Sequence, residues 1–197
     1  MTKIVLGIVL MVVSYFLGSI SPASLLAKAK GIDIREEGSG NPGTTNVLRV
    51  LGKKYAVICL LGDLLKGVIA VLLGYIAGPV FAYACGTMAV IGHCFPWQYK
   101  FKGGKGVATS IAVILTINPL LGLILLICFA VVVAITRYVS LGSMIAAAIA
   151  PALAAVMVPG FFWFAIILAV IVIMKHRTNI RRLINHEEPK LELGGKK

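Results

Sequence analysis

The stretch Val107–Thr136, VATSIAVILTINPLLGLILLICFAVVVAIT, decides how this chain is folded. It is apolar throughout, carries no charge, and is too long for one ordinary membrane span of about 20 residues. Asn118-Pro119 interrupts it. The residue before a proline is driven out of helical conformation, so Asn-Pro reads as a turn. Two helices are expected, Val107–Ile117 and Pro119–Thr136. The first is short and must begin among the residues before it or thin the bilayer locally.

The same argument from length and apolarity, carried outward, marks five further segments. They run from about Ile4 to Leu26, Tyr55 to Ala77, Pro79 to Phe95, Tyr138 to Val158 and Phe161 to Met174. Gly18, Ser19, Ser21 and Pro22 near the end of the first segment predict close packing there. Gly78-Pro79 and Pro159-Gly160 supply turns. The distribution of basic residues tests this count. If seven helices alternate, all of the 19 lysines and arginines except Lys3 and Lys66 fall on one side. The turns on the other side carry no charge. The positive-inside rule then places the N-terminus outside and the C-terminus and the long polar loops in the cytoplasm. Merging Val107–Thr136 into one span would destroy this agreement.

Composition points the same way. The chain is 59% hydrophobic and 13% charged, with a mean hydropathy of +0.99, whereas a soluble domain carries about 25% charged residues. The apolar runs lack the period-two alternation of barrel strands. The expected fold is an all-α integral membrane protein, a seven-transmembrane-helix bundle with cytoplasmic active-site loops, forming a single membrane domain over residues 1–197. The net charge of +12 fits cytoplasmic loops and anionic headgroups of the lipid bilayer, with no nucleic acid implied. Cys59, Cys85, Cys94 and Cys128 lie in or beside apolar runs without metal-ligand spacing and read as small buried hydrophobes. With only Lys3 ahead of the first apolar run and no small-residue cleavage site, that run reads as an uncleaved helix.

Three polar stretches stand out on the cytoplasmic side. The first, Glu37-Gly38-Ser39-Gly40-Asn41-Pro42-Gly43-Thr44-Thr45-Asn46-Val47-Leu48-Arg49, combines glycines, hydroxyls, amides and one guanidinium. Glycines let backbone N–H groups approach a ligand, and an arginine fork suits phosphate. It reads as an anion-binding loop, with Gly40, Asn41, Gly43, Thr44, Thr45 and Asn46 as binding residues. It lacks the spacing of a nucleotide P-loop. The second, Lys102-Gly103-Gly104-Lys105-Gly106, opens a helix, where exposed N–H groups and the helix dipole favour an anion. The third follows the last span and contains His176 and Asn179 three residues apart, a spacing that puts them on one helix face. Arg137–Ser143 forms a further polar corner, from which Ser143 is expected to reach substrate. Within the second long segment, Asp63 and Lys66 share a helix face and can neutralise one another.

These stretches resemble the three cytoplasmic motifs of the bacterial acyl-phosphate:glycerol-3-phosphate acyltransferases, small membrane enzymes of phospholipid synthesis. The matching residues are Gly38-Ser39-Gly40-Asn41 with Thr45-Asn46-Val47-Leu48-Arg49, then Gly92-His93, Phe95-Pro96 and Phe101 to Thr109, then His176-Arg177, Asn179-Ile180, Arg182-Leu183, Glu188 and Lys190. Asp63 and Lys66-Gly67 fit as well. One departure is His186, where the resemblance leads glycine to be expected. The resemblance implies that Ser39 and Arg49 are essential, that Gly103, Gly104 and Gly106 hold the phosphate of glycerol 3-phosphate, and that His176 and Asn179 assist catalysis. It gives Glu188 a structural role. It implies a bacterial inner-membrane enzyme, without cofactor or metal, that acylates the 1-hydroxyl of glycerol 3-phosphate from acyl phosphate.

No histidine is followed by aspartate at the fifth position: after His93, His176 and His186 come Gln98, Arg181 and Leu191. No histidine–aspartate pair is therefore expected as general base, and the donor phosphate is left to accept the proton. The competing reading is a carrier for phosphate or a phosphorylated metabolite. Carriers place polar groups at the bilayer midplane in repeated, broken helices, whereas here they crowd one face.

Overall fold

The computed structural model describes residues 2–191, so Lys196 and Lys197, counted above on the basic side, lie outside the described residues. The regular structure is helical: α1 Thr2–Ser19, α2 Pro22–Lys28, α3 Thr44–Leu51, α4 Lys53–Tyr75, α5 Pro79–Cys94, α6 Val107–Ile117, α7 Pro119–Thr136, α8 Val139–Met157, α9 Phe162–Lys175 and α10 Arg177–Ile184. The chain divides into two compact units, one ending at Ile117 and one beginning at Asn118.

In the first unit α5 packs against α1, α4 and α6. The buried residues of α1 are Gly7, Ser14, Gly18 and Ser19, while Ile4, Val5, Ile8, Val9, Val12 and Val13 face outward. This inverts the pattern of a soluble helix and suits a lipid exterior, where small residues let backbones approach. A Cβ at Gly18 would overlap the Ala89 backbone, and one at Gly92 the Tyr15 carbonyl. The α1–α5 crossing therefore requires both glycines.

The first expected segment is broken, contrary to a continuous helix over Ile4–Leu26. Pro22 has no N–H to continue the ladder, and the Ser21 hydroxyl accepts the Ser24 N–H at 3.3 Å as an N-cap. The break frees two carbonyls: Ser19's accepts from Gln98 Nε2 at 2.6 Å and Ile20's from Lys66 Nζ at 3.0 Å. The polar run Ala27–Lys54 is likewise not all loop, because α3 lies inside it. Val47 of α3 is fully buried in a cluster with Ala23, Ala27, Ile34, Ala56 and Cys59, and that burial holds a helix too short to persist alone.

In the second unit α8 packs against α7 and α9. The bounds of α6 and α7 are those expected. Asn118 Oδ1 caps α7 by accepting the Leu121 N–H at 2.9 Å, with Pro119 in the first helical position. A bend of 56° separates α9 from α10 at His176.

Among the described residues five stretches are long and apolar enough to cross a membrane, 2–28, α4, 79–99, α7 and α8, and the bent pair α9–α10 makes a sixth if it is one span. The further apolar helix, α6, has 11 residues, short of the usual spanning length. The described chain is thus a multi-pass helical membrane protein.

Candidate functional site

In the first unit the loop ahead of α3 is built around Asn46. This residue is 1% exposed. Its Oδ1 accepts the Ser39 N–H at 2.8 Å, and its Nδ2 donates to the carbonyls of Glu37 at 2.9 Å and Ile34 at 3.1 Å. Its amide therefore works on the loop's own backbone. Gly38 (φ 58°) and Gly40 (φ 68°) supply the left-handed backbone that the turn requires. Ser39, Thr45 and Arg49 are exposed at the rim, with Gly40, Asn41, Gly43 and Thr44 half-buried between them.

The glycine loop closes on the end of α5. Gly103 N–H donates to the Cys94 carbonyl at 3.2 Å, and Gly104 N–H to the His93 carbonyl at 3.1 Å. A Cβ at Gly103 would overlap the His93 carbonyl and Pro96, and one at Gly104 would overlap the His93 ring. Gly106, with φ 80°, leads into α6 beside Cys94. The glycines thus serve close packing, and two of the loop's N–H groups are taken up by the protein. Lys102 is exposed and Lys105 half-buried.

Beneath this loop lies a cluster of which only two members were expected to meet. Asp63 and Lys66 do pair, Nζ to Oδ1, at 2.8 Å. His93 joins them: its Nδ1 is 2.7 Å from Lys66 Nζ and 3.2 Å from Asp63 Oδ1. A histidine–aspartate pair therefore exists, formed across α4 and α5 where no short motif can register it. The three residues are 2%, 4% and 8% exposed.

Arg35, not singled out in the sequence, joins the two loops. Its guanidinium lies over the Tyr99 ring, 4.0 Å from the centroid. Nη1 donates to Ser24 Oγ at 2.9 Å and Nη2 to the Lys102 carbonyl at 3.4 Å. The first loop and the glycine loop are thereby brought together at one polar end of the unit.

In the second unit Glu188 is the organising group. Oε1 accepts from Ser140 Oγ and Asn179 Nδ2, each at 2.6 Å, and Oε2 accepts from Arg182 Nε at 2.8 Å. Burial pushes its carboxyl up, but these three donors and the Arg182 charge outweigh it and hold the carboxyl below its ordinary value. His176 sits at the α9–α10 bend. Its Nδ1 lies 2.7 Å from the Val172 carbonyl, so Nδ1 carries a proton and Nε2 is the acceptor in the neutral ring. Ser143 is buried and donates to the Val139 carbonyl at 2.8 Å within its own helix.

Comparison with known proteins gives consistent matches. Residues 8–186 match the family model described as Glycerol-3-phosphate acyltransferase. A glycerol-3-phosphate acyltransferase of Thermoanaerobacter pseudethanolicus is 46% identical over 189 residues, covering 91% of this chain and 93% of that protein. One from Geobacter sulfurreducens is 49% identical over 182 residues, covering 89% and 93%. The crystal structure of an integral membrane glycerol 3-phosphate acyltransferase in its glycerol 3-phosphate form superposes with a TM-score of 0.90 at 36% identity, over 94% of this chain and 96% of that one. The lysophosphatidic acid form of that protein gives 0.87.

Proposed function

The chain belongs to the glycerol-3-phosphate acyltransferase family, and from that premise we propose that this acyltransferase uses acyl phosphate as donor to acylate the 1-hydroxyl of glycerol 3-phosphate. The hydroxyl oxygen attacks the acyl carbonyl carbon, the bond from that carbon to the phosphate oxygen breaks, and the hydroxyl proton passes to a phosphate oxygen of the donor. The products are lysophosphatidic acid and inorganic phosphate. Family membership sets the carrier reading aside.

One observation carries the donor assignment: Arg35 joins two glycine-rich basic loops in one unit. Two loops suited to anions match two substrates that each bear a phosphate. The glycine loop, with Lys102, Gly103, Gly104, Lys105 and Gly106, is assigned to glycerol 3-phosphate. The first loop is assigned to the donor phosphate, with Ser39 and Arg49 stabilising charge that develops in the transition state. Asn46 acts by shaping that loop. His176 and Asn179 are assigned catalytic roles in the second unit, with Ser143 a substrate contact, and Asp63, Lys66 and Glu188 support the structure. The His93–Asp63 pair is not assigned as base, because it lies buried beneath Gly104 and Lys66 shares its Nδ1. We further propose that residues 1–197 act as one domain of seven spans in the bacterial inner membrane, with the N-terminus outside and the C-terminus cytoplasmic.

The deciding experiment compares acyl phosphate with acyl-CoA and acyl-carrier-protein donors of equal chain length, using purified protein in detergent. A thioester lacks the donor phosphate that receives the proton, so it is expected to lose kcat/KM by about 100-fold or more, chiefly in kcat. Comparable kcat/KM with a thioester refutes the donor assignment.

A further inference from the structure

The Asp63–Lys66–His93 cluster has no part in the bond chemistry proposed above. It nevertheless places three ionisable side chains, each 8% exposed or less, inside helices that span the membrane. Such groups are costly there and call for a functional explanation. The geometry supplies one. The Nδ1 edge of the His93 ring is held by Lys66 at 2.7 Å and Asp63 at 3.2 Å. The opposite edge, with Nε2, Cε1 and Cδ2, occupies the space that a Cβ on Gly104 would need. The Gly104 N–H also donates to the His93 carbonyl at 3.1 Å. One residue therefore anchors Gly104 through its main chain and limits it through its ring. Lys66 in turn donates to the Ile20 carbonyl at 3.0 Å, at the α1–α2 break. The ring is thus fixed by α4, by its own helix α5 and, through Lys66, by the break.

We propose that His93 is a positioning residue for glycerol 3-phosphate: its ring, clamped by the buried Asp63–Lys66 pair, is the surface against which the Gly103–Gly104 backbone packs, and that packing sets the course of the loop that receives the substrate phosphate. The inference rests on the assignment of that loop to glycerol 3-phosphate. It places the reason for glycine at position 104 in the ring below the loop and not in a phosphate above it. A methyl at 104 and the ring at 93 then compete for one space, so the two positions must be energetically coupled.

The test is a double-mutant cycle of Gly104→Ala with His93→Asn. Asparagine keeps a polar atom near the Nδ1 position, facing Lys66 and Asp63, and vacates the outer half of the ring. For each protein the KM for glycerol 3-phosphate, the KM for acyl phosphate, kcat and Tm are measured. Each single change is expected to raise the glycerol 3-phosphate KM about 10-fold or more, with the donor KM within about twofold. The double variant is expected to be no worse than the worse single one. Penalties that multiply, an equal rise in both KM values, or an unchanged glycerol 3-phosphate KM in His93→Asn would each overturn the proposal. Gly104→Ala should also lower Tm in the unaltered protein and cost little in the His93→Asn background. That readout needs no activity. Failure of the unaltered protein to make lysophosphatidic acid would sink the functional reading, while Tm would still decide the coupling. The same cycle with His93→Gln, slimmer than the ring, serves if His93→Asn does not fold.

Discussion

The side-chain oxygen of Asn46 accepts the backbone N–H of Ser39 at 2.8 Å. A residue buried in α3 thus sets the conformation of a serine exposed at the rim of the loop. Asn46 also donates to the Glu37 and Ile34 carbonyls, so its removal leaves three backbone groups without their partner. Asn46→Ala is expected to lower stability by about 1–3 kcal/mol and to reduce kcat together with it. Asn46→Asp keeps the acceptor for Ser39 but turns a carboxylate toward two carbonyls, so it should rescue neither quantity. Denaturation in detergent with parallel turnover measurements checks both. Normal Tm in Asn46→Ala would show that the loop holds its shape without it.

Ser39 and Arg49 are exposed, so their truncation should leave Tm within about 1 °C while removing charge stabilisation. Ser39→Ala and Arg49→Ala are each expected to cut kcat/KM about 100-fold, corresponding to ~3 kcal/mol of transition-state stabilisation. Near-normal turnover in a folded Arg49→Ala protein would demote the first loop to a connector.

Arg35 combines a ring contact to Tyr99 with hydrogen bonds to Ser24 and the Lys102 carbonyl. Those three contacts need a planar fork. Lysine offers a point charge and cannot reproduce them. Arg35→Lys and Arg35→Ala are therefore expected to behave alike, each losing about 10-fold or more in kcat/KM, with both substrates affected because both loops lose their common tie. Full activity in Arg35→Lys would mean that charge alone suffices.

The chain's punctuation was legible where local turn signals and segment length agreed. Asn118-Pro119 marks the α6–α7 boundary to the residue, because a capping amide and a proline coincide there. Ser21-Pro22 sends the same signal, yet in a continuous apolar run it reads as close packing; the structure breaks the helix there and lends the Ile20 carbonyl to Lys66. Helix α3 was hidden because eight residues in a polar run are held by the burial of Val47, a tertiary effect. Asn46 has the composition of a ligand contact and the surroundings of a loop staple, and residue type cannot separate these. His93 and Asp63 meet across two helices, at a separation no local motif samples.

Glu188 gives a pH prediction. Its folded-state pKa is lowered from the ordinary 4.5, because hydrogen bonds from Ser140, Asn179 and Arg182 outweigh its burial. A depressed carboxylate adds stability that is complete above the ordinary value and is lost as pH falls through the folded one. Tm should therefore hold down to about the ordinary glutamate value and drop below it. Glu188→Gln should lower Tm at neutral pH and flatten that acid limb. A Glu188→Gln protein with the unaltered acid limb would assign the transition to other carboxyls.

His186 adopts φ 58°, at the position where the resemblance leads glycine to be expected. The turn it makes is fixed by hydrogen bonds from the Glu187 and Glu188 N–H groups to the Arg182 carbonyl, at 2.7 and 3.2 Å. That turn delivers Glu188 to Ser140, Asn179 and Arg182. A side chain in the left-handed region costs about 1–2 kcal/mol, so the turn is made here with a strained residue and not with the permissive one. His186→Gly removes that strain but adds freedom to the unfolded chain worth about 0.4–1 kcal/mol. The net expectation is a gain of up to ~1 kcal/mol in stability with turnover unchanged, since His186 is exposed and makes no contact with the Glu188 carboxylate among the bonds above. His186→Val is the matching control. A branched side chain tolerates this backbone least, so it should lower Tm and reduce activity with it, by letting Glu188 drift from its donors. Equal Tm for the glycine and valine variants would show that the turn relaxes out of the left-handed region, and that Glu188 is held by its three donors alone.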